Sequence, residues 1–316
     1  MKKVLYLFLT SVLLVFLSGC SNEDIREEEF NLEVEGGTIY GTLTLPKDGD
    51  TFKVAIIHQG SGPTDRDGNS HIGGSNNSLK MIATELANHG IASVRYDKRG
   101  IAESMSLVQR EEDLVFEDYI NDLNLWIDRV RGDERFEEIY LIGHSEGALI
   151  ASVSATEREV NGFISLAGAG YSAYDTLVRQ LSSQPKEIRD ELFPIMDELL
   201  KGELVKNIDP MYASLFRESV QPYLISWFKY DPIEIYSRIE EPIIIIQGDN
   251  DLQITLEDAS RLAESINQEP IIVEGMNHVL KDAPRDYEEN LKTYQLPNLE
   301  LHPQLVEEIV EFIIEN

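Results

Sequence analysis

A chain of 316 residues with 57 acidic and 27 basic side chains carries a formal net charge of −30 at neutral pH. A field of that sign repels nucleic acid and anionic lipid head groups and argues against a phosphate-binding role, while it suits a strongly solvated surface outside a cell. The length suffices for one large core, and a single cysteine excludes both an intramolecular disulfide and a cysteine ligand set for zinc.

At the amino terminus, Lys2 and Lys3 precede an apolar run from Val4 to Leu17 that ends in Leu17-Ser18-Gly19-Cys20, after which the composition turns polar and acidic. The run is short for a bilayer span and has the order of a secretory signal. Its last four residues resemble the lipobox of bacterial lipoproteins, in which a diacylglycerol is attached to the Cys and the chain is cut just before it. That resemblance implies a signal peptide over residues 1–19, a lipid anchor on Cys20, a tether over 20–28, and a protein held at the extracytoplasmic face of a bacterial membrane.

Phe30 to Glu35 and Thr38 to Leu45 alternate apolar and polar residues around Gly36-Gly37, which predicts a β-hairpin. Lys53 to Ile57 predicts a further strand running into His58-Gln59-Gly60-Ser61-Gly62-Pro63. Leu79, Ile82, Ala83 and Leu86 mark an amphipathic helix with Ser78 as its cap and Gly90 as its stop, and Ile91 to Tyr96 follows as a strand. Ile120, Leu123, Ile127 and Val130 give another helix before the strand Ile139 to Ile142. Strands at Gly162 to Leu166, Pro242 to Ile246 and Pro270 to Val273 complete an alternation that specifies an α/β fold with a mostly parallel central sheet, helices on both faces. Residues of about 170–240 carry helical patterns without a strand signal, and they are expected to form a cap insertion over the carboxyl ends of the strands within a domain of residues 29–316. The aromatics of that insertion are read as its own core.

Gly143-His144-Ser145-Glu146-Gly147 stands between the Ile139 to Ile142 strand and an apolar helix. A G-x-S-x-G turn of this kind lifts the serine hydroxyl clear of the sheet edge, and side chains at 143 and 147 would collide with neighbouring backbone. Ser145 is thus the candidate nucleophile. A serine hydroxyl needs a base, and the base needs a carboxylate to fix its tautomer. Beyond the elbow only His278 and His302 remain. His278 follows the Ile271 to Val273 strand in a loop, whereas His302 beside Pro303 reads as the start of a final helix. For the acid, either Asp249 or Asp251 in Gly248-Asp249-Asn250-Asp251 follows a strand end. His144 is read as a packed histidine. Asp65-Arg66-Asp67-Gly68 lacks the glycine and glutamate positions of a calcium loop and is expected to be a hydrogen-bonded loop beside the site.

These segments, together with Gly60 to Asn69 and Arg95-Tyr96-Asp97-Lys98-Arg99-Gly100, resemble the α/β-hydrolase superfamily, specifically secreted bacterial esterases related to the serine-aminopeptidase-like branch. The resemblance runs from about Phe30 to the end of the chain. It implies Asp251 as the acid, and it implies backbone N–H groups of Ser61 and Glu146 as the oxyanion hole. Gln59 stands where the superfamily often has glycine. The expected activity is hydrolysis of a small-molecule carboxylic ester through an acyl-enzyme, without a metal or organic cofactor. An aminopeptidase would use the same machinery and would need carboxylates in the insertion for the substrate ammonium, for which Glu191, Glu198 and Glu203 are the candidates. A lipid-anchored binding protein would place no demand on Ser145, Asp251 and His278 together.

Overall fold

The computed structural model describes residues 25–316, so the leader, Cys20 and the first residues of the expected tether lie outside the described residues. The strands and helices follow in the order β1 (Ile25–Glu29), β2 (Leu32–Val34), β3 (Gly37–Ile39), β4 (Gly41–Pro46), β5 (Phe52–His58), α1 (Ser78–Asn88), β6 (Ala92–Tyr96) and α2 (Phe116–Arg131). Next come β7 (Phe136–His144), α3 (Glu146–Glu157), β8 (Gly162–Leu166), α4 (Ala173–Leu181), α5 (Lys186–Leu200), α6 (Ala213–Phe216), α7 (Gln221–Trp227) and α8 (Pro232–Tyr236). The chain closes with β9 (Ile243–Gly248), α9 (Leu256–Ser265), β10 (Ile271–Val273), α10 (Tyr287–Thr293) and α11 (Pro303–Glu315). Eight strands form one sheet in the order β1-β4-β6-β5-β7-β8-β9-β10. From β6 to β10 all pairings are parallel, and β4 and β1 join antiparallel at one edge.

The two faces follow from period-two alternation in the buried strands. On β5, Val54 and Ile56 point to a core shared with α2, α3 and α9, while Ala55 and Ile57 point to one shared with α1 and α11. Strands covered on both sides read as continuous apolar runs, which explains how β5, β7 and β9 stood out in the sequence.

Three expectations need correction. Residues 25–28, assigned to the tether, lie in edge strand β1, paired from Ile25 opposite Pro46 to Glu29 opposite Thr42. Its sequence Ile-Arg-Glu-Glu-Glu has no apolar alternation, and two of its three acids are matched by arginines far along the chain: Glu27 meets Arg95 at 2.7 Å and Glu28 meets Arg135 at 2.5 Å. The expected hairpin is also divided, since only β2 and β3 pair around Gly36-Gly37 and β4 leaves for the main sheet. Ser78 opens α1 from inside, with Asn77 at the cap position.

Between β8 and β9, α4 to α7 carry a core of their own, in which Leu192, Met196, Tyr212, Phe216, Leu224 and Phe228 are buried together, while α8 joins the main core through Ile235 and Tyr236. Tyr223 and Trp227 of α7 turn the other way and pack on Phe116 of α2, Trp227 stacked on it at 5.9 Å between ring centroids.

Candidate active site

Ser145 sits alone between β7 and α3 with φ 56° and ψ −121°, a conformation that L-residues rarely adopt and that costs of order 1–3 kcal/mol. Its N–H donates to the Leu166 carbonyl of β8 at 2.9 Å, so the neighbouring strand holds the turn. The flanking glycines are steric requirements. A Cβ at Gly147 would lie 2.5 and 2.6 Å from the carbonyl oxygens of His58 and Gln59, and one at Gly143 would collide with the Gly147 carbonyl.

The loops after β9 and β10 bring the other candidates together. His278 is buried, and its Nδ1 lies 2.8 Å from Asp251 Oδ2. Asp251 is held from every side: Oδ1 accepts the backbone N–H of Gln253 at 2.7 Å and of Ile254 at 3.0 Å, and Oδ2 also accepts from Gln247 Nε2 at 3.1 Å. Burial pushes the Asp251 carboxyl up, but the His278 imidazole and the two backbone donors outweigh that and leave it below the usual carboxylate range. Asp249 points elsewhere, to Arg285 at 2.8 Å and the Gly275 N–H at 2.7 Å. His302 caps the start of α11.

Ser145, His278, His144 and Ser61 face one cavity of about 250 Å³. Among the described residues neither the Ser61 N–H nor the Glu146 N–H donates to a protein acceptor. The cavity walls lie outside the insertion. They come from residues 60–78 and from Gln253, Val279 and Tyr294, and no residue of α4 to α8 contributes. Glu191, Glu198 and Glu203 are exposed and away from this cavity. A larger open groove of about 530 Å³ runs along α11 and His89 and holds none of the candidate side chains.

Charges tie the 60–78 wall to the end of β6. Arg66 meets Asp97 at 2.7 Å, Arg95 meets Asp67, and Asp65 Oδ1 accepts the N–H groups of Asp67 and Asn69, both at 2.9 Å. The Asp65 to Asn69 segment is therefore a hydrogen-bonded loop, as expected. Gln59 Nε2 donates to the Tyr96 carbonyl at 2.9 Å, which gives the residue standing in place of glycine a tethering contact. Lys98 and Tyr223, which no motif singled out for a role, also converge here. Lys98 Nζ donates to the Gly60 carbonyl at 2.7 Å and lies 3.6 Å from Glu146 Oε2, while the Tyr223 hydroxyl donates to Glu146 Oε1 at 2.7 Å.

His144 is packed and also lines the cavity. Its Nε2–H donates to the His278 carbonyl at 2.8 Å, and burial, reinforced by His278, lowers its pKa to about 4. An unfolded imidazole takes its proton at about pH 6.5, so between there and about 4 the unfolded chain binds more protons and stability drains away as pH falls. The expected contribution is about 2 kcal/mol lost between about pH 7 and 4.5. Urea unfolding of wild type and His144→Gln at both pH values should show the smaller loss in the variant; equal losses would contradict the assignment.

Residues 72–223 match the family model described as serine aminopeptidase, S33. The chain is 25% identical over 277 residues to esterase EstD of Thermotoga maritima, covering 82% of this chain and 63% of that protein, so it spans under two thirds of the relative's length. Among solved structures, Est1E from Butyrivibrio proteoclasticus superposes with a TM-score of 0.59 at 17% identity, over 91% of this chain and 98% of that one. The hypothetical protein PA2218 from Pseudomonas aeruginosa gives a TM-score of 0.63 at 16% identity, over 93% and 94%. These likenesses bear out the expected fold class, a mostly parallel sheet covered on both faces.

Proposed function

We propose that this chain, an α/β-hydrolase, is a serine carboxylesterase acting on small-molecule esters through an acyl-enzyme. The observation that carries the reading is the 2.8 Å contact of His278 Nδ1 with Asp251 at the rim of a cavity shared by His278 and Ser145. With Nδ1–H donated to Asp251, the lone pair of Nε2 is left to accept the Ser145 proton. Ser145 Oγ then bonds the acyl carbon, and the carbonyl electrons pass to its oxygen, where the N–H groups of Ser61 and Glu146 receive the charge. Collapse expels the alcohol, protonated by His278, and water repeats the sequence to release the acid and restore Ser145.

Esters are favoured over aminoacyl substrates because the cavity lining, in which Pro63, Ile72 and Val279 join hydroxyl, amide, imidazole and glycine groups, includes no carboxylate, and Glu191, Glu198 and Glu203 stand outside it. The match to an esterase supports the same choice. A fluorophosphonate probe should label wild type and not Ser145→Ala, and p-nitrophenyl acyl esters should turn over faster than aminoacyl anilides. Equal labelling, or faster anilides, would count against the reading.

We also infer that Cys20 carries a lipid anchor, on the strength of Leu17-Ser18-Gly19-Cys20 after an apolar leader. Metabolic labelling with a fatty-acid analogue in a bacterial host should mark the wild type and spare Cys20→Ser; labelling of both would refute the anchor.

A further inference from the structure

We infer that Lys98 is a positioning residue for the oxyanion hole, acting through the Gly60–Ser61 peptide. This rests on the acyl-transfer reading given above. The described chain has no cis peptide bonds, so the Gly60 carbonyl and the Ser61 N–H belong to one planar trans unit and point in opposite directions. Lys98 Nζ holds that carbonyl at 2.7 Å from the protein interior. The N–H on the other side is thereby turned toward the cavity that Ser61 lines. A cation on the carbonyl oxygen also draws electron density through the amide and makes its N–H a stronger donor.

Burying an ammonium group is costly, and a methionine would fill the same volume without that cost. Lys98 is nonetheless 1% exposed, two residues beyond the end of β6 and just before the Arg99-Gly100 turn. Its surroundings are specific. Glu146 Oε2 lies 3.6 Å away, and the Tyr119 ring lies under the ammonium at 5.0 Å. Glu146 is the residue whose backbone N–H is the second proposed oxyanion donor. Its side chain is held by the Tyr223 hydroxyl of α7 at 2.7 Å. One buried cluster thus touches both donors, through a carbonyl on one side and a side chain on the other. It also gives the helical insertion, absent from the cavity wall, a connection to the site.

The test is a series of Lys98→Met and Lys98→Gln, assayed on a p-nitrophenyl acyl ester and titrated with phenylboronic acid, which forms a tetrahedral anionic adduct on a serine hydroxyl. Loss of one oxyanion donor lowers rate roughly 100-fold or more, and misaiming one should approach that. Lys98→Met is expected to lower kcat roughly 10- to 100-fold with KM within about threefold, and to weaken the boronate by the same factor. Gln keeps an N–H for the Gly60 carbonyl without the charge, so Lys98→Gln should fall between. Should Lys98→Met fail to fold, Lys98→Gln alone decides: a parallel fall in kcat and boronate affinity supports the inference, and wild-type values overturn it. A folded Lys98→Met with unchanged kcat and boronate affinity, beside a wild type that hydrolyses the ester, overturns the role of Lys98 alone. A wild type that neither hydrolyses the ester nor takes up a fluorophosphonate overturns both readings together.

Discussion

Ser145→Ala is expected to reduce kcat for ester hydrolysis by about 10⁴- to 10⁶-fold, with KM changed far less, because the covalent route is lost while the cavity and the N–H donors that bind the acyl group persist. The residual rate would come from the oxyanion donors and from orientation alone. A second variant separates chemistry from structure at the same position. At φ 56° and ψ −121° a serine is strained, whereas glycine enters such conformations freely. Ser145→Gly should therefore be as inactive as Ser145→Ala yet more resistant to urea by about 1 kcal/mol. A stability gained by deleting the hydroxyl and Cβ would show that the elbow geometry is maintained for function at a cost to folding. Hydrolysis surviving in Ser145→Ala at more than about a hundredth of the wild-type rate would remove this serine from the reaction.

The parts of the molecule that could be read in advance are those whose requirements are local. A buried parallel strand must be an apolar run, an elbow must have glycines where backbones nearly touch, and a loop at a strand end can carry a reactive side chain. For this reason β5, β7 and β9, the Gly143 to Gly147 turn, and the loops that carry His278 and the Asp249/Asp251 pair all showed in the chain, whereas the choice of Asp251 over Asp249 rested on the family resemblance. The pieces that did not show depend on partners remote in sequence. Nothing within Ile25 to Glu29 signals a strand, because what admits its acids to a sheet edge are Arg95 and Arg135, 68 and 107 positions away. Lys98 lies in a segment recognised by resemblance, but its contact with the Gly60 carbonyl spans 38 positions and leaves no periodic trace. The composition of the cavity wall is hidden in the sequence for a related reason. Helical patterns in an insertion predict helices, but where they settle depends on Phe116 and Glu146, to which Trp227 and Tyr223 are drawn.

Asp251→Asn is expected to lower kcat by about 10⁴-fold, and Asp249→Asn by less than about threefold. The difference follows from hydrogen-bond direction. Asp251 Oδ1 accepts two backbone N–H groups, from Gln253 and Ile254, so an asparagine at 251 must keep its carbonyl oxygen there. Its NH₂ is then turned toward His278 Nδ1, which can meet a donor only by accepting. The imidazole proton moves to Nε2, and the nitrogen that should accept from Ser145 becomes a donor. The NH₂ would also face Gln247 Nε2, donor against donor, and turning the Gln247 amide to relieve this would break its bonds to the carbonyls of Gly248 and Ile254. Asp249, by contrast, serves Arg285 and the Gly275 N–H, and its loss leaves the His278 tautomer untouched. Steady-state kinetics of the two variants decide the matter, with fluorophosphonate labelling rates as the parallel readout. If Asp249→Asn proves the more damaging of the two, the acid has been assigned to the wrong carboxylate and the orienting role must pass to the Asp249–Arg285 pair.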